Sequence, residues 1–105
     1  MENVKKIIKE FKAELERIYG EKLKSVILYG SWARNEATEN SDIDLVVVFK
    51  GDIIQGKEID RMIDSITEIN LKYNILISVY PVSEENYLTI KSPLLLNIRQ
   101  EGIAA

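Results

Sequence analysis

The sequence contains neither cysteine nor histidine. Their absence excludes disulfides, thiolate chemistry, imidazole bases and the usual zinc ligands. Any catalysis must therefore rely on carboxylates, hydroxyls, lysine, arginine and hard metal ions. Basic residues are also in the minority: the sequence has 14 basic and 17 acidic residues, and its net charge is −3. This balance argues against general nucleic-acid binding through a basic surface.

Long apolar runs are missing too, since none approaches the roughly 18 residues that a membrane-spanning helix needs. No signal peptide is recognisable, so we expect a cytoplasmic protein without membrane association. The 105 residues suffice for one domain but not for two, which predicts a single domain over residues 1–105. A core of this size is modest, so an interface with a partner or with a second copy of the chain is compatible with it.

Two long amphipathic helices are predicted, over residues 2–19 and 57–72. Each has apolar residues at helical spacing, which is typical of a helix that packs on a core. Gly20 suits the end of the first helix, and Tyr73-Asn74 breaks the second. The two stripes are Val4, Ile7, Ile8, Phe11, Leu15 and Ile18, and then Ile59, Met62, Ile63, Ile66 and Ile69.

Near the end of the chain, two serines mark the starts of short helical segments. Ser83 is placed to cap the segment Glu-Glu-Asn-Tyr-Leu that follows it. Ser92 followed by Pro93 is a capping serine with proline at the first helical position. Leu94, Leu95 and Ile98 then give a last short helix before Gly102.

Three apolar runs predict strands, over Leu23–Tyr29, Asp42–Phe49 and Ile75–Tyr80. Pro81 ends the third strand or marks it as an edge strand. The segment between the first two strands is too short for a crossover helix, so these strands are expected to be antiparallel neighbours. The order of elements predicts an α/β (α+β) fold with a small mixed sheet and flanking helices.

The first strand runs directly into Gly30-Ser31. Glycine permits a sharp turn, and serine suits the start of a short helix over 31–35 that Asn35 could end in the left-handed conformation. Free backbone N–H groups at such a start suit a phosphate. Taken alone, a Gly-Ser pair after a strand indicates a turn.

Two aspartates open the second strand. Residues two apart in a strand share one face, so Asp42 and Asp44 project side by side, roughly 6–7 Å apart at the backbone. Asp is disfavoured in strands, and two like charges on one face repel. A divalent cation held by both carboxylates would offset that cost.

Gly30-Ser31, followed after ten residues by Asp42-Ile-Asp44, resembles the signature of the DNA polymerase β-like nucleotidyltransferases, and most of all their minimal single-domain members. In those proteins the stretch commonly reads Gly-Ser-x-Ala-x-Gly, a polar loop, and then Ser-Asp-Ile-Asp-Leu. Two positions depart from the pattern: Asn35 stands at the usual second glycine, and Ser78 stands where the third strand usually carries a third metal-associated aspartate. The residues that keep the pattern are Gly30, Ser31, Ala33, Arg34, Ser41, Asp42, Ile43, Asp44 and Leu45.

The resemblance implies a nucleoside-triphosphate site. Asp42 and Asp44 would be the catalytic carboxylates and would hold Mg²⁺ or Mn²⁺ ions that bridge the triphosphate of ATP or another NTP. Gly30 and Ser31, with the N–H groups that follow, would bind the β- and γ-phosphates. Ser41 belongs to the same predicted phosphate-binding group.

Several roles stay open at this stage. Arg34 either contacts phosphate or pairs with Glu36 on the surface, and Trp32 either stacks on a base or partner or is incidental. Because Ser78 carries no charge, another carboxylate would have to substitute for the third aspartate. The candidates are Asp60, Asp64, Glu84 and Glu85.

Two functions follow from the resemblance. The first is an enzyme that transfers a nucleoside monophosphate, AMP in the favoured case, to a hydroxyl on a protein partner. Minimal members of the family pair with a helical HEPN-type protein as the antitoxin of a toxin–antitoxin couple, which is the partner expected here. The second is a catalytically weak or inactive module that neutralises a partner by contact. Asp42 and Asp44 favour the first function and Ser78 the second.

Overall fold

The computed structural model describes residues 2–105, and its elements follow the apolar patterns of the sequence. Each long helix buries one stripe of side chains, and the three longer strands lie between two apolar layers. A 3₁₀ turn at Gly20–Lys22 joins the first helix to the first strand. The elements are α1 Glu2–Tyr19, β1 Leu23–Tyr29, β2 Ile43–Phe49, α2 Gln55–Tyr73, β3 Ile77–Ser83, α3 Glu84–Thr89, α4 Pro93–Glu101 and β4 Ile103–Ala104.

Within the described residues the strands form one sheet in the order β3-β2-β1-β4. β1 and β2 are antiparallel neighbours, as predicted. β3 lies parallel to β2 at one edge, and the short β4 pairs antiparallel with β1 at the other. The mixed sheet with flanking helices confirms the predicted fold class.

The central strand β2 separates two apolar layers, because its side chains alternate between the faces of the sheet. One layer contains its odd-numbered residues together with the buried stripes of α1 and α2; the other contains Val46 and Val48 with Leu95 and Ile98 of α4. Asp44 is two residues before Val46 and therefore lies on the α4 side of the sheet. The odd-numbered β2 residues are Ile43, Leu45, Val47 and Phe49.

The structure corrects three local predictions. Residues 31–35 form a turn rather than a short helix. β3 begins two residues later than predicted and continues through Pro81 to Ser83, which an edge strand permits because the missing N–H of proline faces no neighbour. Ile63 is 46% exposed, although it was predicted to lie on the buried stripe of α2.

Both predicted serine caps are present. The Ser83 hydroxyl accepts a hydrogen bond from the N–H of Asn86, and the Ser92 hydroxyl accepts one from the N–H of Leu95, each at 3.2 Å. Among residues 2–105, no helix combines the length and the apolar character that a membrane crossing requires.

Candidate functional site

The turn that follows β1 begins at Gly30, whose φ is +75°. The N–H of Arg34 donates to the Gly30 carbonyl at 3.1 Å, and the N–H of Glu36 donates to the Ser31 carbonyl at 2.9 Å. These bonds span four and five residues, so the segment winds without the regular pattern of an α-helix. Asn35 has φ of 60°, the left-handed conformation that was predicted for it.

The start of this turn presents free donors. In the described chain, the N–H groups of Ser31, Trp32 and Ala33 donate to no backbone or side-chain acceptor of the protein. Successive free N–H groups in a turn form a concave site for an anion. The predicted phosphate site is therefore compatible with the observed turn, although its backbone is not helical.

Asp44 packs directly against Gly30. A Cβ atom built on Gly30 would lie 2.2 Å from Oδ2 of Asp44 and 3.1 Å from its Cγ, far inside van der Waals contact. Gly30 is thus required both for its positive φ and for the space that the Asp44 carboxylate occupies. This contact places the start of the turn beside one of the two predicted metal ligands.

The two carboxylates differ in exposure. Asp42 is exposed just before β2, whereas Asp44 is half-buried within it. Burial, followed by the charge of Asp42, raises the pKa of Asp44, and Arg34 partly offsets this effect. The negative charge of Asp44, after burial, also raises the pKa of Tyr29, its register partner on β1. A divalent cation would relieve the repulsion between the two carboxylates, and their oxygen atoms are the ligands that Mg²⁺ prefers.

Trp32 holds the polar loop in place. Its Nε1–H donates to the Ser41 carbonyl oxygen at 3.1 Å, and the ring packs against the core, so this side chain is half-buried. The Ser41 hydroxyl accepts a hydrogen bond from the N–H of Thr38 at 2.9 Å. Ser41 therefore shapes the loop that leads into Asp42, a contact that the sequence did not reveal.

Arg34 is engaged by two carboxylates. Its guanidinium lies 3.1 Å from Glu36 and 3.3 Å from Glu101 at the end of α4. Pairing with Glu36 is the surface alternative considered from the sequence, and Glu101 adds a contact across 67 residues that no local pattern signals. These exposed pairs hold Arg34 weakly, so a phosphate could compete for it.

Ser78 lies beside Asp44. The two residues are register partners in the parallel β2–β3 pair, so the predicted side of β3 does border the carboxylates. Leu76 lies two residues before Ser78 and therefore on the same face. Its carbonyl accepts a hydrogen bond from the N–H of Ile43 at 2.9 Å. The side chains of Ser78 and Leu76 are exposed, and neither carries a charge.

No third carboxylate joins the pair. Residues 2–105 contain no group of three acidic side chains placed to hold one metal ion. Glu84 instead pairs with Lys24 at 3.4 Å. None of the four substitutes considered from the sequence, Asp60, Asp64, Glu84 and Glu85, therefore completes a three-carboxylate cluster.

A cleft of about 320 Å³ adjoins the site. It lies where α2 ends and the chain enters β3, and Asp42 forms part of its wall. Its other walls combine a second carboxylate with amide and apolar side chains, whereas the turn at Gly30 presents backbone N–H groups. Its lining includes Glu39, Asn40, Asn70, Leu71, Asn74 and Leu76.

The fold and this arrangement define a nucleotidyltransferase domain. The family profile described as "Nucleotidyltransferase domain" matches residues 5–101, and the chain belongs to that family. Two proteins of Methanocaldococcus jannaschii, MJ0604 and MJ0141, are both named "Putative protein adenylyltransferase". The first is 42% identical over 101 residues, covering 95% of each chain. The second is 37% identical over 97 residues, covering 92% of this chain and 93% of its own.

Solved structures show the same fold. A "toxin-antitoxin with AMP-PNP" superimposes with a TM-score of 0.63 at 17% identity, covering 90% of this chain and 68% of the other. The "toxin-antitoxin MntA-HpeT mutant-Y104A" gives a TM-score of 0.61 at 16% identity, covering 92% and 70%. The family profile and the two relatives confirm the predicted family, and these structures confirm the predicted fold. The roles of the individual site residues stay predictions.

Proposed function

We propose that this chain transfers AMP from ATP to a hydroxyl group of a partner protein. The observation that carries the proposal is the contact between the Gly30 turn and Asp44, which brings free N–H donors and two carboxylates to one place. Relatives at 42% and 37% identity are named as protein adenylyltransferases, which supports AMP and a protein acceptor. We further propose that residues 1–105 act as one domain.

In this proposal, Ser31 and the N–H groups after it bind the terminal phosphates of the nucleotide, since free N–H donors suit an anion. Asp42 and Asp44 are the residues that would hold Mg²⁺ or Mn²⁺, which supplies charge stabilisation at the phosphates when bound. Arg34, once released from its exposed ion pairs, is placed to contact phosphate as well. Ser41 acts indirectly, through the loop that positions Asp42.

The reaction forms one bond and breaks one. The acceptor oxygen attacks the α-phosphorus of ATP, the bond from that phosphorus to the bridging oxygen of the β-phosphate breaks, and pyrophosphate leaves with the electron pair. The acceptor hydroxyl loses its proton to solvent. Asp42 and Asp44 would contribute through the Mg²⁺ or Mn²⁺ that they would hold, whose positive charge would offset the repulsion between their carboxylates and the triphosphate and so allow in-line attack.

For the partner we propose a helical HEPN-type toxin, with this chain as its antitoxin. The support is that two solved structures with the same fold are toxin–antitoxin complexes, and one of them contains AMP-PNP. A second candidate function is a module that neutralises its partner by contact alone. It is favoured by the uncharged side chains of Ser78 and Leu76 beside the two carboxylates.

The test is calorimetric titration of ATP with and without Mg²⁺, on the wild type, Asp44→Asn and the control Asp52→Asn. Asp52 is exposed in the loop between β2 and α2, so its variant has the same charge change outside the site. We expect Mg²⁺-dependent binding by the wild type and the control, and its loss in Asp44→Asn. Equal binding by all three proteins, independent of metal, would refute the proposed site.

Transfer is measured with ATP labelled at the α-phosphate, in the presence of a co-expressed helical protein encoded beside this chain. Label on that protein, dependent on Asp44, supports the enzyme. A stable complex that takes no label while ATP still binds supports the contact-only module instead.

A further inference from the structure

The solvent side of α2 has an apolar and acidic stripe of its own. Five exposed residues recur at spacings of three, one, three and four, which places them on one face of the helix. This face is opposite the buried stripe that contains Met62, Ile66 and Ile69. We call it the α2 outer stripe; its residues are Asp60, Ile63, Asp64, Thr67 and Leu71.

The apolar members of the stripe are more exposed than a packing role would allow. Ile63 is 46% exposed and Leu71 is 79% exposed. Eight residues separate them, which is about 12 Å along the helix. Leu71 then adjoins Leu76, which is 59% exposed and lines the same cleft. Together they form an apolar track from the middle of α2 to the cleft beside Asp42.

The charged members of the stripe and of the cleft are all acidic. Asp60 and Asp64 belong to the stripe, and Glu39 and Asp42 line the cleft at its end. Among the ion pairs of residues 2–105, none involves any of these four carboxylates. A partner that covers the track must bring both apolar side chains and positive charge, because an uncompensated carboxylate is costly to desolvate.

From this combination we infer that the α2 outer stripe and the adjoining cleft dock a basic amphipathic helix of the partner protein. The helix would place its apolar side chains on Ile63 and Leu71 and its basic ones beside Asp60 and Asp64. Its end would reach the cleft at Asp42, where an acceptor hydroxyl is needed. Only this last step rests on the proposed AMP transfer; the docking does not require it.

The probe is a synthetic peptide of about 16 residues, with leucine and lysine at helical spacing and one terminal tyrosine, long enough for about 24 Å of helix. A counterpart carries glutamate in place of every lysine. Binding is followed by fluorescence anisotropy without nucleotide or metal. The lysine peptide is expected to bind, and the glutamate peptide is not.

Matched variants test the location. Leu71→Gln and Asp64→Lys should each weaken binding at least about fivefold, the change expected when an interface residue contributes more than 1 kcal/mol. The controls are Leu88→Gln on α3, where Leu88 is 63% exposed, and Glu16→Lys on α1; each should change binding less than about twofold. All four positions are at or near the surface, so the variants should fold.

The inference is overturned if neither peptide binds, if both bind equally, or if the controls weaken binding as much as the stripe variants do. Because the assay contains no ATP, its outcome is independent of whether the nucleotide site works. Adding Mg²⁺ and α-labelled ATP then tests the acceptor step separately. If the peptide binds but its tyrosine takes no label, the proposed acceptor role is refuted and the docking surface is still supported.

Discussion

Gly30→Ala tests the contact on which the proposed site depends. The substitution puts a side chain at a φ of +75° and a Cβ atom 2.2 Å from Oδ2 of Asp44. The left-handed backbone alone costs about 1–2 kcal/mol for a residue with a side chain, which lowers the Tm by roughly 4–16 °C in a domain of this size. The Asp44 carboxylate must also move away from the turn.

The chain offers a matched control for the backbone cost. Gly51 has φ of +76°, and a Cβ atom built there meets nothing within 4 Å. Gly51→Ala therefore carries the same conformational strain without the steric contact. Both variants should lose stability, and Gly30→Ala should lose more than Gly51→Ala. The double variant Gly30→Ala/Asp44→Ala should recover this extra loss, because it lacks the Asp44 Oδ2 atom with which the new Cβ atom clashes.

The decisive readout is ligand-dependent stability. Mg²⁺ and ATP at about ten times the Kd should stabilise a binding-competent protein by about 1.4 kcal/mol, which is a rise in Tm of roughly 5–11 °C. Gly51→Ala should show this rise in thermal melts and Gly30→Ala should not. Equal ligand-induced shifts in the two variants would refute the reasoning that Asp44 needs its place against Gly30.

Further predictions concern the neighbouring residues. Because folding raises the pKa of Asp44, the stabilisation it gives is present below its unfolded pKa and is lost as the pH rises through the folded pKa. In EDTA, Asp44→Asn should therefore gain stability relative to the wild type as the pH rises through the folded pKa of Asp44; urea melts over that pH range with no such trend would contradict this. Asp42→Asn should be neutral or slightly stabilising in EDTA, and Mg²⁺ should stabilise the wild type more than this variant; unfolding of the variant in EDTA would instead indicate a structural role for Asp42. Trp32→Phe removes the hydrogen bond to Ser41 and should cost about 1 kcal/mol while weakening ATP binding; unchanged binding in calorimetry would separate that loop from the site. Ser78→Asp should create tighter Mg²⁺ or Mn²⁺ binding beside Asp44, and the idea fails if metal titrations of variant and wild type coincide.

The parts of the fold that were predictable depend on local periodicity. Alternation over residues 43–49 assigned the apolar residues of β2 to the correct faces, because successive side chains of a strand point to opposite sides of the sheet. The strand was predicted to begin at Asp42, one residue before its observed start. The antiparallel β1–β2 pair followed from the length of the connecting segment. The start of β3 was predicted too early because Ile75 and Leu76 continue its alternation, although the sheet pairing begins only at Ile77.

Other features depend on contacts between distant residues and had no local signal. β4 consists of Ile103–Ala104 alone, too short for any pattern. The ion pair between Arg34 and Glu101 joins the turn after β1 to the end of α4, and no sequence pattern predicts that these two segments meet. Ile63 was misassigned because a helix that packs on one layer buries only part of its circumference, and the residue lies just outside the covered face.

The members of the candidate site stay a prediction from the sequence, whereas their mutual geometry had no signal in it. The spacing from Gly30 to Asp44 singled out the candidate residues, and only the folded chain shows that a glycine at position 30 makes room for the Asp44 carboxylate. The same geometry explains why Ser78 matters. It faces Asp44 from β3, so a carboxylate at position 78 would be close enough to share a cation. The Ser78 hydroxyl would leave the proposed metal ligands Asp42 and Asp44 to bind that cation alone. In the proposed site, two carboxylates could still hold a metal–nucleotide complex, whereas activation of the acceptor would lack one charged contributor. In the proposed reaction, orientation of the acceptor by the partner would then have to account for more of the rate, because positioning can replace part of what a third metal ligand would supply.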